Sequence, residues 1–377
     1  MDFARRTGLD PLKERPRRYL WTDSFAVCNF LELNRRTKND RYKELALSLV
    51  DQVHATLGRH REDDRRSGWL SGLGEREGTD HPTRGGLRIG KSLPERTVDE
   101  MPDEELAWDQ DGQYYHYLTK WMHALERVCR MTGDAKYARW GIELAQAAHS
   151  AFVYTPGSAG RRRMFWKMSI DLSRPLVPSM GQHDPLDGYV TYLELQTLAS
   201  YFPELPEDLD LSTELTDMTS ICKDGNWVTD DPLGIGGLLF DASRIGQLMA
   251  LGAADHSGLL KKVLDSALPG LESFSNSNAL QLPAQYRLAF RELGLSIGLR
   301  AIERLNAIEG LKSPVVRSRE DPMRRSEALK KYMPIGLEIE AFWADASNQT
   351  GATWSEHQDI NAVMLATSLA PDSFLLI

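Results

Sequence analysis

A pattern used twice constrains this chain more than any other feature. Residues 37–57, TKNDRYKELALSLVDQVHATL, are echoed by residues 132–152, TGDAKYARWGIELAQAAHSAF. Aligned without gaps, the copies share Thr37/Thr132, Tyr42/Tyr137, Leu49/Leu144 and His54/His149, with Glu44 and Arg139 paired as polar sites. Each begins with a polar turn and an aromatic, then places apolar residues three and four apart, the period of an amphipathic helix. A further helical segment precedes each copy, at 25–35 and 113–130. The repeating unit is therefore a helical hairpin. One hairpin has no partner for its apolar face, so hairpins must stack on one another.

The rhythm continues downstream. Segments 186–200 with 211–222, 235–251 with 259–273, 285–293 with 295–307, and 326–342 with 359–369 supply four more hairpins. Six hairpins predict an all-α fold, an (α/α)6 barrel or toroid, as a single domain over residues 1–377; an open solenoid is the alternative closure. Strand signals are confined to short pieces such as 164–170. Two long connections, 58–108 and 154–184, each lead from the second helix of one hairpin to the first of the next. They are expected to gather at one end, where long loops carry function.

Composition narrows the function. The chain is 41% hydrophobic and 26% charged with nine Trp, enough to bury a large core. A net charge of −9 argues against a nucleic-acid partner. No apolar run reaches the roughly 18 residues of a membrane span, and the N-terminus lacks a signal-peptide core. A cytoplasmic location is the expectation. Cys28, Cys129 and Cys222 lie far apart on apolar helical faces, which predicts buried thiols rather than disulfides or zinc ligands.

Tryptophan and acidic residues recur where hairpins begin: Trp21 with Asp23, Trp108 with Asp109 and Asp111, His183 with Asp184 and Asp187, Trp227 with Asp230 and Asp231, and Trp354 with His357. Helix capping explains single members of this set, because Asp accepts the orphan N–H groups of a helix start. Asp184-Pro185 and Asp231-Pro232 have the form of a cap followed by proline. Capping does not explain paired carboxylates or the adjacent histidines. Carboxylates in an aromatic-lined cleft are what glycoside chemistry needs, one of them raised in pKa by burial. Flat indoles also suit the C–H faces of sugars.

Hairpins with Trp and acidic residues at successive helix starts resemble the six-hairpin glycosidase-like superfamily. Trp21-Thr22-Asp23-Ser24-Phe25 and Gly181-Gln182-His183-Asp184 carry the likeness. That group includes glycoside hydrolases, unsaturated glucuronyl hydrolases and, on a similar barrel, N-acylglucosamine epimerases. The resemblance implies a carbohydrate-active enzyme acting on a short or charged saccharide, with a glycosidase the first reading. The acid/base pool is Asp23, Asp109, Asp111, Asp184 and Asp187, with His183 and His357 tuning or relaying protons. Trp21, Trp108, Trp227 and Trp354 are expected to line the pocket, with Tyr115, Arg88, Asp230 and Asp231 as further binding residues. No cofactor, metal site or membrane contact is expected, and the partner is a small saccharide.

Three alternatives stay open. An epimerase or isomerase would shift proton transfer to His183 and His357. A terpenoid cyclase is suggested by Asp111-Gly112-Gln113-Tyr114, Asp224-Gly225-Asn226-Trp227 and Asp230-Asp231. A non-catalytic toroid would bind a partner through its loops. The run from Gly85 to Ser92, GGLRIGKS, fits the P-loop pattern letter for letter. Its surroundings do not, since a polar stretch with Pro82 precedes it and Pro94 follows. Arg84, Arg88 and Lys91 there offer cations for an anionic sugar instead.

Overall fold

The computed structural model describes residues 1–101, 103–157, 160–308 and 320–377, and its fold is all-α, as expected. The chain forms two compact units, Met1–Asp224 and Gly225–Ile377. In the first unit the long helices are α1 (Leu20–Thr37), α2 (Asp40–Leu57), α3 (Tyr115–Thr132), α4 (Ala135–Phe152), α5 (Asp184–Ala199) and α6 (Ser212–Cys222). The second holds α7 (Pro232–Ala250), α8 (Ser257–Asn276), α9 (Ala289–Ala307), α10 (Glu320–Leu329), α11 (Met333–Ala344) and α12 (Gln358–Leu369).

The repeat holds down to single hydrogen bonds. Asn39 caps α2 by accepting from the Arg41 N–H at 3.1 Å, and Asp134 caps α4 by accepting from Lys136 at 3.0 Å. The residue before each cap, Lys38 or Gly133, turns the chain in the left-handed region at φ 58° and 70°. The repeated histidines are both buried and both pack on the next hairpin. His54 accepts from the Trp121 indole at 3.1 Å, and His149 meets Asp217 at 3.1 Å.

Two expectations need correction in the second unit. Segments 285–293 and 295–307, read as a hairpin, do not break at Gly294: residues 289–307 are the single helix α9, preceded by a 3-10 turn at Ala284–Tyr286. Gly294 is no turn: a Cβ on Gly236 would stand 2.1 Å from the Gly294 carbonyl, so glycines let α7 and α9 approach backbone to backbone. The segment 326–342, read as one helix, is divided between α10 and α11 by a 3-10 turn at Lys330–Tyr332, and Pro334 occupies the first turn of α11. Proline belongs in a first turn, where its missing N–H costs nothing.

In the first unit, α1 packs on α3 and α3 on α5. The two long connections do meet there. Strands β1 (Gln113–Tyr114), β2 (Lys167–Met168) and β3 (Pro175–Val177) form a small antiparallel sheet, with Tyr114 opposite Lys167 and Lys167 opposite Val177. Arg66 ties the loops together by pairing with Asp64, Glu95 and Asp171, while Glu95 also accepts from the Ile170 N–H at 2.6 Å.

Candidate active site

A pocket of about 440 Å³ opens beside this sheet, walled by Trp108, Trp166, His116, Met180, Gly181 and Asp184, with Ala107, Val177 and Ser179 completing it. Each wall comes from an element already placed. Trp108 lies on the turn before β1, His116 on the first turn of α3, Trp166 before β2, and Asp184 at the first position of α5. The indoles of Trp108 and Trp166 lie 5.0 Å apart, tilted by 30°, and Trp108 is more than half exposed. Behind them Tyr114, Tyr117 and Trp21 close around His116, with ring centroids 4.8–5.9 Å from the imidazole.

Asp184 is the one carboxylate among the described residues that lines this pocket. It does not cap its helix: His183 is the N-cap residue, and no side chain supplies a cap bond. One carboxyl oxygen, Oδ2, is buried with no hydrogen-bond partner among the described residues. Burial, the Asp187 charge beside it and, opposing them, Lys120 set its pKa, which is pushed up to about 7. An acid near neutrality is suited to giving or taking protons at physiological pH. Gly181 makes room for it, since a Cβ there would stand 2.3 Å from Oδ2. His116 Nδ1 lies 3.9 Å from Asp184 Oδ1, and burial lowers the imidazole pKa to about 4, so the ring is neutral near pH 7. The Trp21 indole N–H is likewise buried without a partner among the described residues.

The other expected acids are placed differently. Asp187 is neutralised by Lys120 at 2.8 Å and accepts from Thr119. Asp23 is buried against Arg18 and accepts from the Tyr19 N–H at 2.9 Å, closing the first turn of α1. Asp109 is exposed, 3.8 Å from Lys91. Asp111 is fully buried between Arg61 and Arg88, at 3.3 and 3.1 Å, and accepts from the N–H groups of Gly90 and Gly112 at 3.0 Å. The P-loop-like run thus wraps an anion, but the anion is this internal carboxylate. Arg88 also donates to the carbonyls of Arg59 and Thr56, and it does not line the pocket that holds Asp184. Tyr115 is fully buried and its hydroxyl bonds to Tyr192 at 2.9 Å.

The second unit gathers its own helix starts. Asp231 is an N-cap, accepting from the Gly234 N–H at 3.1 Å, and it pairs with Arg291 at 2.6 Å. Phe290, beside Arg291, touches the His357 ring at 5.4 Å. Trp354 is buried and stacks on Trp343 at 5.6 Å, Trp227 is buried under Lys262, and Asp230 is exposed. His183 is half-buried at the start of α5, and His357 is exposed at the start of α12.

Sequence reasoning missed His116, Trp166 and Lys120. The run Tyr114-Tyr115-His116-Tyr117 at a helix start was the available signal for His116; Trp166 sits in a loop with none. One buried cluster, His123, Glu126 and Glu194, brings possible ligand atoms within 4.8 Å of one another. Arg127 and Arg130 pair with Glu126, and His123 bonds Glu194 at 2.7 Å, so the cluster is already balanced as an ion network. No helix among the described residues is long and apolar enough to cross a membrane.

No protein-family model matches this chain, and no curated protein matches it. Among solved structures it is similar to cellobiose 2-epimerase from Spirochaeta thermophila DSM 6192. The identity is 12% and the TM-score 0.49, over 95% of this chain and 87% of that one.

Proposed function

We propose that this chain is a carbohydrate-active enzyme whose chemistry is proton transfer, a sugar epimerase or isomerase, with Asp184 as the base and His116 as a neutral hydrogen-bond donor. The observation that carries the reading is Asp184 itself: a buried carboxyl in an aromatic pocket, raised to about 7, with one oxygen unengaged. A raised carboxylate beside a neutral imidazole is a recurrent arrangement for abstracting a proton next to a carbonyl. The sequence resemblance and the indole faces of Trp108 and Trp166 support a saccharide as substrate.

In this mechanism the Asp184 carboxylate takes the proton from the carbon next to the carbonyl of an open-chain sugar. The C–H pair becomes the new C=C bond, and the carbonyl π pair moves to oxygen, where the His116 N–H stabilises the developing charge. Asp184 then holds the proton to be returned. For isomerisation it gives this proton to the former carbonyl carbon, while the neighbouring hydroxyl passes its own proton to the oxygen anion and becomes the new carbonyl. For epimerisation the intermediate turns its other face to Asp184 by rotation about the bond to the rest of the sugar, and the same proton returns to the carbon it left as the oxygen pair re-forms the carbonyl.

Glycoside hydrolysis is the second reading, because the same raised carboxyl suits a general acid. It requires a second, ionised carboxylate at the sugar. Asp184 is the one carboxylate among the described residues lining the pocket, and Asp111 and Asp187 are held by cations. The test is incubation of neutral aldoses, ketoses and short oligosaccharides in D2O, followed by proton NMR. Proton transfer replaces the signal of the carbon-bound proton beside the carbonyl with deuterium, and Asp184→Asn abolishes the exchange. New reducing ends without exchange would establish hydrolysis instead. No reaction with any saccharide, and no binding, would sink both.

A further inference from the structure

We propose that Lys167 is a positioning residue: its buried ammonium clamps the 107–110 turn from below and thereby sets the Trp108 wall of the pocket. Lys167 is 1% exposed, although it carries an amine on a four-carbon stem. No carboxylate stands within ion-pair distance of it among the described residues, an expensive arrangement for a charge taken out of water. What it has instead are main-chain acceptors. Its Nζ donates to the carbonyls of Ala107 and, at 2.9 Å, Gln110, the residues that bracket Trp108 in the turn. The same Nζ lies 3.4 Å from the Tyr114 hydroxyl and 4.9 Å from the centre of that ring, which is itself packed on Trp108.

The turn has need of such a clamp. Trp108 is 57% exposed, and its ring contacts are with Tyr114 and Trp166. Lys167 sits on β2 directly opposite Tyr114, so its backbone is fixed by the sheet while its side chain reaches under the turn. Trp166, one residue earlier, does the same for the facing wall. Its N–H donates to the Ser179 carbonyl at 3.2 Å and its indole N–H to the Ser179 hydroxyl at 2.9 Å. Two adjacent residues thus fasten both sides of the pocket. Lys167 is not a Schiff-base lysine for the sugar carbonyl, because its nitrogen is turned onto the carbonyls and forms no part of the pocket lining.

The clamp is a statement about the apoprotein; its consequence for substrate rests on the saccharide reading. Hydrogen–deuterium exchange of the full chain without ligand separates the two. In Lys167→Met, amides of residues 106–111 should exchange about tenfold faster while those of α3 stay within about twofold, because one local contact is lost. With a saccharide that the wild type turns over, KM should rise about fivefold with kcat nearly unchanged, the signature of weakened binding. The same change made in a Trp108→Ala background should add nothing further. Unchanged exchange at 106–111 overturns the proposal. Loosening of the whole first unit, or failure of the variant to fold, overturns it as well, since Lys167 would then be a general core residue. If no saccharide is turned over, the functional reading fails and the exchange result still decides the clamp.

Discussion

Replacing Asp184 by Asn removes one ionisable group and little else, so it isolates the cost of burying that carboxyl. In the folded chain its pKa stands near 7 instead of 3.8, raised by burial first and by the Asp187 charge second. A shift of about three units corresponds to about 4 kcal/mol. The side chain is 9% exposed, so solvent screens little of this. The sign follows from proton linkage. The folded state holds this proton more tightly than the unfolded chain, so its favourable contribution is complete below pH ~4 and lost as pH rises through ~7. The wild type should therefore match Asp184→Asn near pH 4 and fall behind it by about 4 kcal/mol at pH 8. Denaturant unfolding of both proteins at pH 4.5, 6 and 8 measures the gap. A gap that does not widen with pH, or an Asn variant less stable than wild type at pH 8, refutes the reasoning: Asp184 would not be desolvated, and the base assignment would lose its support. The same variant should lose its turnover, a stability gained by giving up a functional group.

The pH–rate profile separates the two catalytic readings, because a base must be ionised and an acid protonated. If Asp184 is the base, kcat/KM rises with pH through about 7; a fall through the same range would assign it as a general acid and favour hydrolysis. Asp111→Ala should act on stability rather than on KM. It strands Arg61 and Arg88, whose side chains are 12% exposed, at a cost of about 3–5 kcal/mol, read as a lower melting temperature. In Gly181→Ala the new Cβ meets the Asp184 carboxyl, so kcat should fall sharply with little change in melting temperature. Gly236→Ala forces α7 away from α9 and should cost about 1–3 kcal/mol in thermal unfolding without changing the pH profile of Asp184.

Much was legible in the sequence because it depends on local chemistry. The repeat at 37–57 and 132–152 predicted a polar turn followed by an amphipathic helix in both copies, and the structure gives them equivalent caps, Asn39 and Asp134, and equivalent buried histidines, His54 and His149. Asp231 was likewise readable as a cap from the proline that follows it. The helix starts also pointed to Trp108 and Asp184, two walls of the pocket. What local chemistry does not encode is which acid ends up beside which cation. Asp23, Asp111, Asp184 and Asp187 look alike as letters, yet three of them meet Arg18, Arg61, Arg88 or Lys120, and one keeps an oxygen unengaged in an aromatic pocket. Gly294 reads as a break because glycine disfavours helices, and only the approach of α7 shows why a helix keeps it. His116, Trp166 and Lys167 gain their meaning from a sheet that joins residues more than fifty positions apart. The sequence encodes the helical repeat and most of its turns, since caps and periodicity act within a few residues, but not the unbroken helix at Gly294 or the break at Lys330–Tyr332, which packing decides. Tertiary structure decides which carboxyl is paired with a cation and which keeps an unpartnered oxygen and a raised pKa, since that depends on charges and burial supplied by distant parts of the chain.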